Sequence, residues 1–237
     1  MSRMVGENRA TARELAQRHV AAGDPLGWFE ELYGADDLTI IPWADLEPNP
    51  NLVDWLEPRG VVGSGRNALK VGCGLGDDAE ELARRGFDTT AFDISPAAIS
   101  WCHRRFPSSA VRYFAADLLR PPAEWSRRFD LVVESYTLQV LPPELRVDAI
   151  RRVAGFVAPG GILLVITRGR EPGEPEGMMP WPLTRNELAL FEEVGLTAFE
   201  FEDYVDDEDP PVRRFRATYR RPVGDGAAKQ ALSGGAG

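Results

Sequence analysis

The sequence contains only two cysteines, Cys73 and Cys102, in 237 residues. Two cannot build a disulfide framework or a cysteine-rich zinc site. Histidine is as scarce, at two. His19 falls on an N-terminal helical stretch and His103 on a later helix, so neither reads as a catalytic base, and no cluster of Asp, Asn and His suggests a metal. Cations are in deficit, with 27 Lys and Arg against 37 Asp and Glu and a net charge of −10. Sequence-independent phosphate binding needs clustered cations, which argues against nucleic acid and equally against an anionic membrane surface. Long apolar runs are missing too. The longest purely aliphatic one is Ile162 to Ile166, far short of the ~20 residues that span a bilayer. Arg9, Arg13, Glu14 and Arg18 interrupt the first helical stretch, which therefore lacks the uncharged core of a signal peptide. A reducing, cytoplasmic setting is the expectation.

With 43% apolar residues the chain can bury a sizeable core. Its length suggests one domain with additions, given about 150 residues per domain. Residues 9 to 21 read as a helix stopped by Gly23, with Ala12, Leu15, Ala16 and Val20 on one stripe. The aromatics Trp28, Phe29, Tyr33, Trp43 and Trp55 follow, among prolines too dense for a central strand. Residues 1–60 are thus expected to form a helical cap. From residue 68 strands and helices alternate: strands at 68–71, 88–92, 111–115, 130–134 and 162–167, helices at 78–85, 96–106 and 143–157. Gly160 and Gly161 are expected to form the turn before the fifth strand. That succession predicts a parallel sheet covered on both faces. Thr184 and Glu187 form a capping box that opens a helix to about Glu193. Strands 198–204 and 212–219, joined by an acidic loop at 206–211, predict an antiparallel hairpin. A core over 61–221 and a disordered tail over 222–237 complete the expected plan, with no internal repeats.

The informative segment is the turn after the first strand, Val71-Gly-Cys-Gly-Leu-Gly-Asp-Asp-Ala-Glu80. Gly72, Gly74 and Gly76 let the backbone turn sharply and approach a ligand closely. Twenty-one residues after Gly72, at the end of the second strand, stands Asp93. A carboxylate there can accept hydrogen bonds from both hydroxyls of a ribose. The pair points to a nucleoside-containing ligand. A dinucleotide fingerprint wants Gly or Ala where this chain has Asp77, and the helix opens with Asp77, Asp78, Glu80 and Glu81. One unit-charge pair at 4 Å is worth roughly 4 kcal/mol at an effective dielectric of 20, so carboxylates oppose a pyrophosphate at that helix start. They suit a ligand with an ammonium and a sulfonium, which is S-adenosylmethionine.

Leu69-Lys-Val-Gly-Cys-Gly-Leu-Gly76 resembles the first motif of the class I S-adenosylmethionine-dependent methyltransferases. Thr90-Ala-Phe-Asp-Ile94 resembles their acidic second-strand motif, Ala116-Asp-Leu118 their adenine-binding motif, and Phe129 to Glu134 their fourth strand. Gly160 and Gly161 match the turn before the fifth. The ordered set spans about residues 66 to 168. Lys70 departs from the pattern, which usually places an acid there. The resemblance implies an α/β, doubly wound, mostly parallel seven-stranded sheet with a C-terminal antiparallel hairpin. It also implies roles: Gly72, Gly74 and Gly76 at the methionine part, Asp93 at the ribose and Ile94 against the adenine. Asp117 would accept from the adenine amino group beside the Leu118 amide, and Glu134 would lie near the sulfonium.

No catalytic residue stands out. A thiol acceptor eases the lack of a base, since a free pKa of about 8.5 leaves a few per cent as thiolate at neutral pH. The residues Glu134-Ser-Tyr-Thr137 differ from the motifs of pyrimidine and amino methylation. Trp28, Phe29, Tyr33, Trp43, Tyr136, Met179 and Trp181 are candidates for the wall of a flat or apolar acceptor site. Arg168 and Arg170, leaving the fifth strand, are candidates to pair with a substrate carboxylate. The Pro-Trp-Pro segment at 180–182 is loosely similar to the thiopurine and related thiol methyltransferases. The expectation is methyl transfer to a thiol or hydroxyl of a small molecule. An NAD-type oxidoreductase and a non-catalytic S-adenosylmethionine-binding protein are the alternatives, and the sequence leaves the oligomeric state open.

Overall fold

The computed structural model describes residues 2–35 and 37–224. Five parallel strands carry the first part of the sheet: β1 (Asn67–Val71), β2 (Asp88–Asp93), β3 (Arg112–Ala115), β4 (Phe129–Ser135) and β5 (Val157–Arg168). The hairpin of β6 (Thr197–Val205) and β7 (Arg213–Arg220) completes it, with β7 antiparallel to both β5 and β6. The strand order is β3-β2-β1-β4-β5-β7-β6. Chain direction across the sheet therefore reverses between β1 and β4, which opens a crevice at their carboxyl ends.

Four helices cover the sheet: α4 (Asp77–Arg84), α5 (Pro96–Arg105), α6 (Pro143–Phe156) and α7 (Arg185–Glu193). Three more precede it: α1 (Ser2–Ala21), α2 (Gly27–Gly34) and α3 (Pro50–Leu56). Side chains alternate along a strand, so both faces of the inner strands are buried. Leu69, Val71, Val132, Leu163 and Val165 pack with Ala149, Ile150 and Val153 of α6. Ala68, Leu131, Val133, Leu164 and Ile166 pack on the other face with Leu82 of α4 and Leu52, Trp55 and Leu56 of α3. The capping box at Thr184 and Glu187 is formed. Ser95 caps α5, accepting from the Ala98 amide at 3.1 Å ahead of Pro96.

Two boundaries differ from the sequence expectation by more than one residue. α1 reaches back to Ser2 instead of starting at residue 9. β5 begins at Val157, so Gly160 and Gly161 lie inside the strand instead of in a turn before it. The register steps from the Phe129–Val157 pair to the Leu131–Ile162 pair, and Gly160 at φ +78° carries the chain through that irregularity.

The N-terminal helices pack over one end of the crevice. Ala12, Ala16, Trp28, Leu32 and Tyr33 share a core with Leu75, Ala98, Val140 and Met179. Among the described residues no helix is long and apolar enough to cross a membrane. Residues 222–224 form no regular structure, and the rest of the expected tail, from 225 on, lies outside the described residues.

Candidate functional site

The turn after β1 is built on left-handed backbone. Gly72 lies at φ +57° and Gly74 at φ +52°, where an L side chain is strained. A Cβ on Gly72 would fall 2.2 Å from Thr137 Oγ1, and one on Gly74 would fall 3.0 Å from Tyr33 Oη. Both glycines line a cavity of about 750 Å³ that runs along the carboxyl ends of the strands. Gly76 faces the other way. Its Cβ would meet Tyr113 Oη at 2.7 Å and Cys102 Sγ at 3.2 Å, so it serves packing against α5 and β3 and does not line the cavity.

Asp93 ends β2 and is tied to that turn. Its Oδ2 accepts the Gly74 N–H at 2.9 Å and its Oδ1 the Ser95 N–H at 3.1 Å. Burial raises its carboxyl above the ordinary range, partly offset by those amide bonds and by Lys70. Ile94, Asp117 and Leu118 line the same end of the cavity. Asp117 accepts the Leu119 N–H with Oδ1 at 2.8 Å, which leaves Oδ2 for a ligand. A glycine-rich turn, a buried carboxylate one strand away and a second acidic residue beyond β3 fit a nucleoside with a polar tail.

Each carboxylate at the acidic start of α4 has a partner within the chain, so the turn is not a bare anionic one. Asp77 takes both guanidinium branches of Arg105 at 2.6 Å. Asp78 accepts from the Asn49 amide and from Ser135 Oγ, each at 2.8 Å, and lies 3.7 Å from Lys70 Nζ. Glu80 accepts from Tyr113 Oη at 2.7 Å, while Glu81 pairs with Arg84 and Arg85. Apart from Arg84 and Arg85, one helical turn after Glu81, spacing along the chain shows none of these partners. Lys70, where an acid is usual, is buried and donates to the Val71 and Gly72 carbonyls at 2.8 and 3.1 Å.

Glu134 is fully buried and does not line the cavity. Its Oε1 accepts the Thr137 and Leu138 amides at 2.8 and 3.0 Å, and its Oε2 has no partner. Burial pushes its carboxyl up to about 7, against the pull of those amides and of Lys70. It braces the loop after β4, with the ligand space on the far side of that loop.

Of the candidate acceptor residues, Phe29, Tyr33, Trp43, Tyr136, Arg168 and Met179 line the cavity. Trp28 is 1% exposed and stacks on Phe29 with centroids 3.9 Å apart, so it supports the wall from behind. Trp181 lies outside the cavity, near Arg146. Trp43 donates its indole N–H to Tyr33 Oη at 2.8 Å. His19 pairs with Glu31 and His103 packs edge-on to Tyr113, both away from the cavity. Arg170 pairs with Glu176 and Glu187.

Sequence reasoning missed the far wall. Asp45, Tyr204, the loop residues Asp206 to Asp209, Arg9 and Arg214 all line the cavity. The antiparallel pairing of β7 with β5 and β6 brings Tyr204, the 206–209 loop and Arg214 there, while Arg9 and Asp45 come from the N-terminal segment. Asp45 makes no hydrogen bond or ion pair among the described residues, and its carboxyl is raised by burial and by Glu208.

A family described as "Methyltransferase domain" matches residues 68–161. The chain is 32% identical over 126 residues to a ubiquinone biosynthesis O-methyltransferase of Pseudomonas paraeruginosa, covering 52% of this chain and 53% of that one. The chain thus spans about half the length of the curated relatives it matches. In structure it is similar to the N-methyltransferase NodS of Bradyrhizobium japonicum bound to S-adenosylhomocysteine, with a TM-score of 0.64, 24% identity, and coverage of 83% and 98%. It is also similar to a protein studied for conversion of a disulfide into a thioacetal during echinomycin biosynthesis, with a TM-score of 0.70, 20% identity, and coverage of 88% and 96%. At these identities the structural likeness speaks for the fold.

Proposed function

We propose that the chain is a class I S-adenosylmethionine-dependent methyltransferase, which the match of residues 68–161 to a methyltransferase domain supports, and that it methylates a thiol or hydroxyl of a small molecule. The observation that carries this reading is the joining of Asp93 to Gly74 at one end of a cavity that Phe29, Tyr33, Trp43 and Tyr136 also line. Bound at that end, S-adenosylmethionine supplies an already activated methyl group on a cationic sulfur.

The chain's own residues divide the remaining work. Gly72 and Gly74 let the backbone lie against the methionine part, Asp93 accepts from the ribose hydroxyls, and Ile94, Asp117 and Leu118 hold the adenine. Glu134 positions the loop that closes the floor, and Gly76 sets the packing behind the turn. Phe29, Tyr33, Trp43, Tyr136 and Met179 exclude water and orient a flat acceptor, which is most of what an in-line displacement asks of a protein. A thiol reaches the site partly ionised and needs no strong base. For a hydroxyl, Asp45, a cavity-wall carboxylate with a raised pKa, is able to take the proton.

Incubation with S-adenosylmethionine and a panel of small thiols and phenols, with mass detection of S-adenosylhomocysteine, tests the reading. Turnover with a thiol or phenol supports it. Binding of the cofactor with no turnover across the panel favours a binding protein, and binding of NAD alone would overturn the assignment.

A further inference from the structure

Arg168 and Arg214 are direct cross-strand partners in the antiparallel pair of β5 and β7. Like charges directly opposite one another are unfavourable, yet both side chains are placed on the cavity wall, and Arg9 of α1 joins them there. Two of the three guanidiniums are satisfied. Arg214 donates to Asp206 at 2.5 Å and to Glu208, and lies 4.5 Å over the Tyr136 ring. Arg9 donates to Glu208 Oε2 at 3.0 Å.

Arg168 is left short. The nearest carboxylate oxygen is that same Glu208 Oε2, 4.0 Å away, and its buried Nε has no partner. Burial lowers its pKa, and the neighbouring Arg214 and Arg9 lower it further. Within ion-pair distance the three guanidiniums thus share only the two carboxylates of Asp206 and Glu208, and Arg168 has the weakest hold on them, although the cavity wall also carries Asp45, Asp207 and Asp209.

We propose that Arg168 recognises an anionic group on the methyl acceptor, a carboxylate or a planar equivalent, and that Glu208 holds that place until the acceptor arrives. The inference rests on the methyltransferase reading and narrows its substrate class. A guanidinium presents a fixed fork that matches a carboxylate with two parallel hydrogen bonds. Glu208 belongs to the β6–β7 loop, so an arriving anion displaces a tethered one of the same chemistry. Asp207 and Asp209 stand at the exposed rim. Their charges are hydrated and screened by salt, whereas the inner arginines are screened far less.

The test is calorimetry on the full chain loaded with S-adenosylhomocysteine. The probes are 4-hydroxybenzoate and 4-mercaptobenzoate, each beside its carboxamide, with 4-hydroxybenzylamine as the cationic control. The acids are expected to bind about tenfold more tightly than the amides, a charged hydrogen-bond pair against a neutral one. Arg168→Gln should erase that preference, with Arg168→Lys restoring part of it. Glu208→Gln, a change on a surface loop, should tighten the acids and not the amides. The proposal is overturned if acids and amides bind alike, if neither binds, if the amine binds best, or if the preference survives Arg168→Gln. Failure of the wild-type chain to bind S-adenosylhomocysteine in the loading step would instead count against the methyltransferase reading.

Discussion

Gly74 donates its backbone N–H to Asp93 Oδ2 at 2.9 Å, so the turn after β1 and the carboxylate ending β2 form one unit. Burial holds that carboxyl above its ordinary pKa, and a ribose would add two hydroxyl donors to it. Asp93→Ala should weaken S-adenosylhomocysteine binding by roughly 2 kcal/mol, about thirtyfold, because a charged acceptor is lost. An unchanged dissociation constant would remove Asp93 from the site.

The turn itself makes a second prediction. Gly72→Ala places a methyl 2.2 Å from Thr137 Oγ1 at a left-handed φ. The two costs separate in a double variant. In a Thr137→Ala background the collisions with Oγ1 and Cγ2 are gone, leaving a tight 3.2 Å contact with the residue 137 Cβ and a backbone penalty of roughly 1–2 kcal/mol. Urea midpoints should show Gly72→Ala costing clearly less stability in that background than in wild type. Equal costs would mean that the Thr137 contact is not what excludes a side chain.

Glu134 makes a prediction in pH. Its folded pKa of about 7 lies above the ordinary 4.5, so the native state holds this proton more tightly than the unfolded chain. Its contribution therefore falls as pH rises from 4.5 through about 7 and is level beyond. Glu134→Gln keeps an oxygen for the Thr137 and Leu138 amides and removes the titration. Relative to wild type, the variant should gain on the order of 3 kcal/mol between pH 4.5 and 8. Denaturation curves that stay parallel across that range would contradict the assignment.

If Asp45 takes the proton from a hydroxyl acceptor, Asp45→Asn should lower kcat by roughly a hundredfold or more for phenols and change it little for thiols. Initial rates on matched phenol and thiol acceptors measure the contrast. An equal loss on both would reduce Asp45 to a wall residue.

The parts of this chain that are local in sequence were readable from it. The glycine turn, the acid at the end of the second strand, the alternation of strands and helices, the capping box at Thr184 and the terminal hairpin each depend on residues near one another in the chain. What escaped depends on pairing at long range. Arg105 reaches Asp77 from a different helix, so four acidic residues within five positions look like an anionic patch until the fold supplies partners such as this one. Arg168 faces Arg214 only because β7 inserts beside β5, and the acidic 206–209 loop reaches the cavity for the same reason. Glu134 reads as a strand-end residue free to meet a ligand, but the two amides that follow it fold back and bury it. Gly76 completes the motif in sequence while serving packing in space.

The central claim is that the cavity at Gly72 and Gly74 holds an adenosyl ligand. The most direct measurement is calorimetric titration of the full chain with S-adenosylhomocysteine and, separately, with NAD. The account predicts saturable one-to-one binding of S-adenosylhomocysteine and none of NAD. Heat from NAD alone, or none from either, would contradict it.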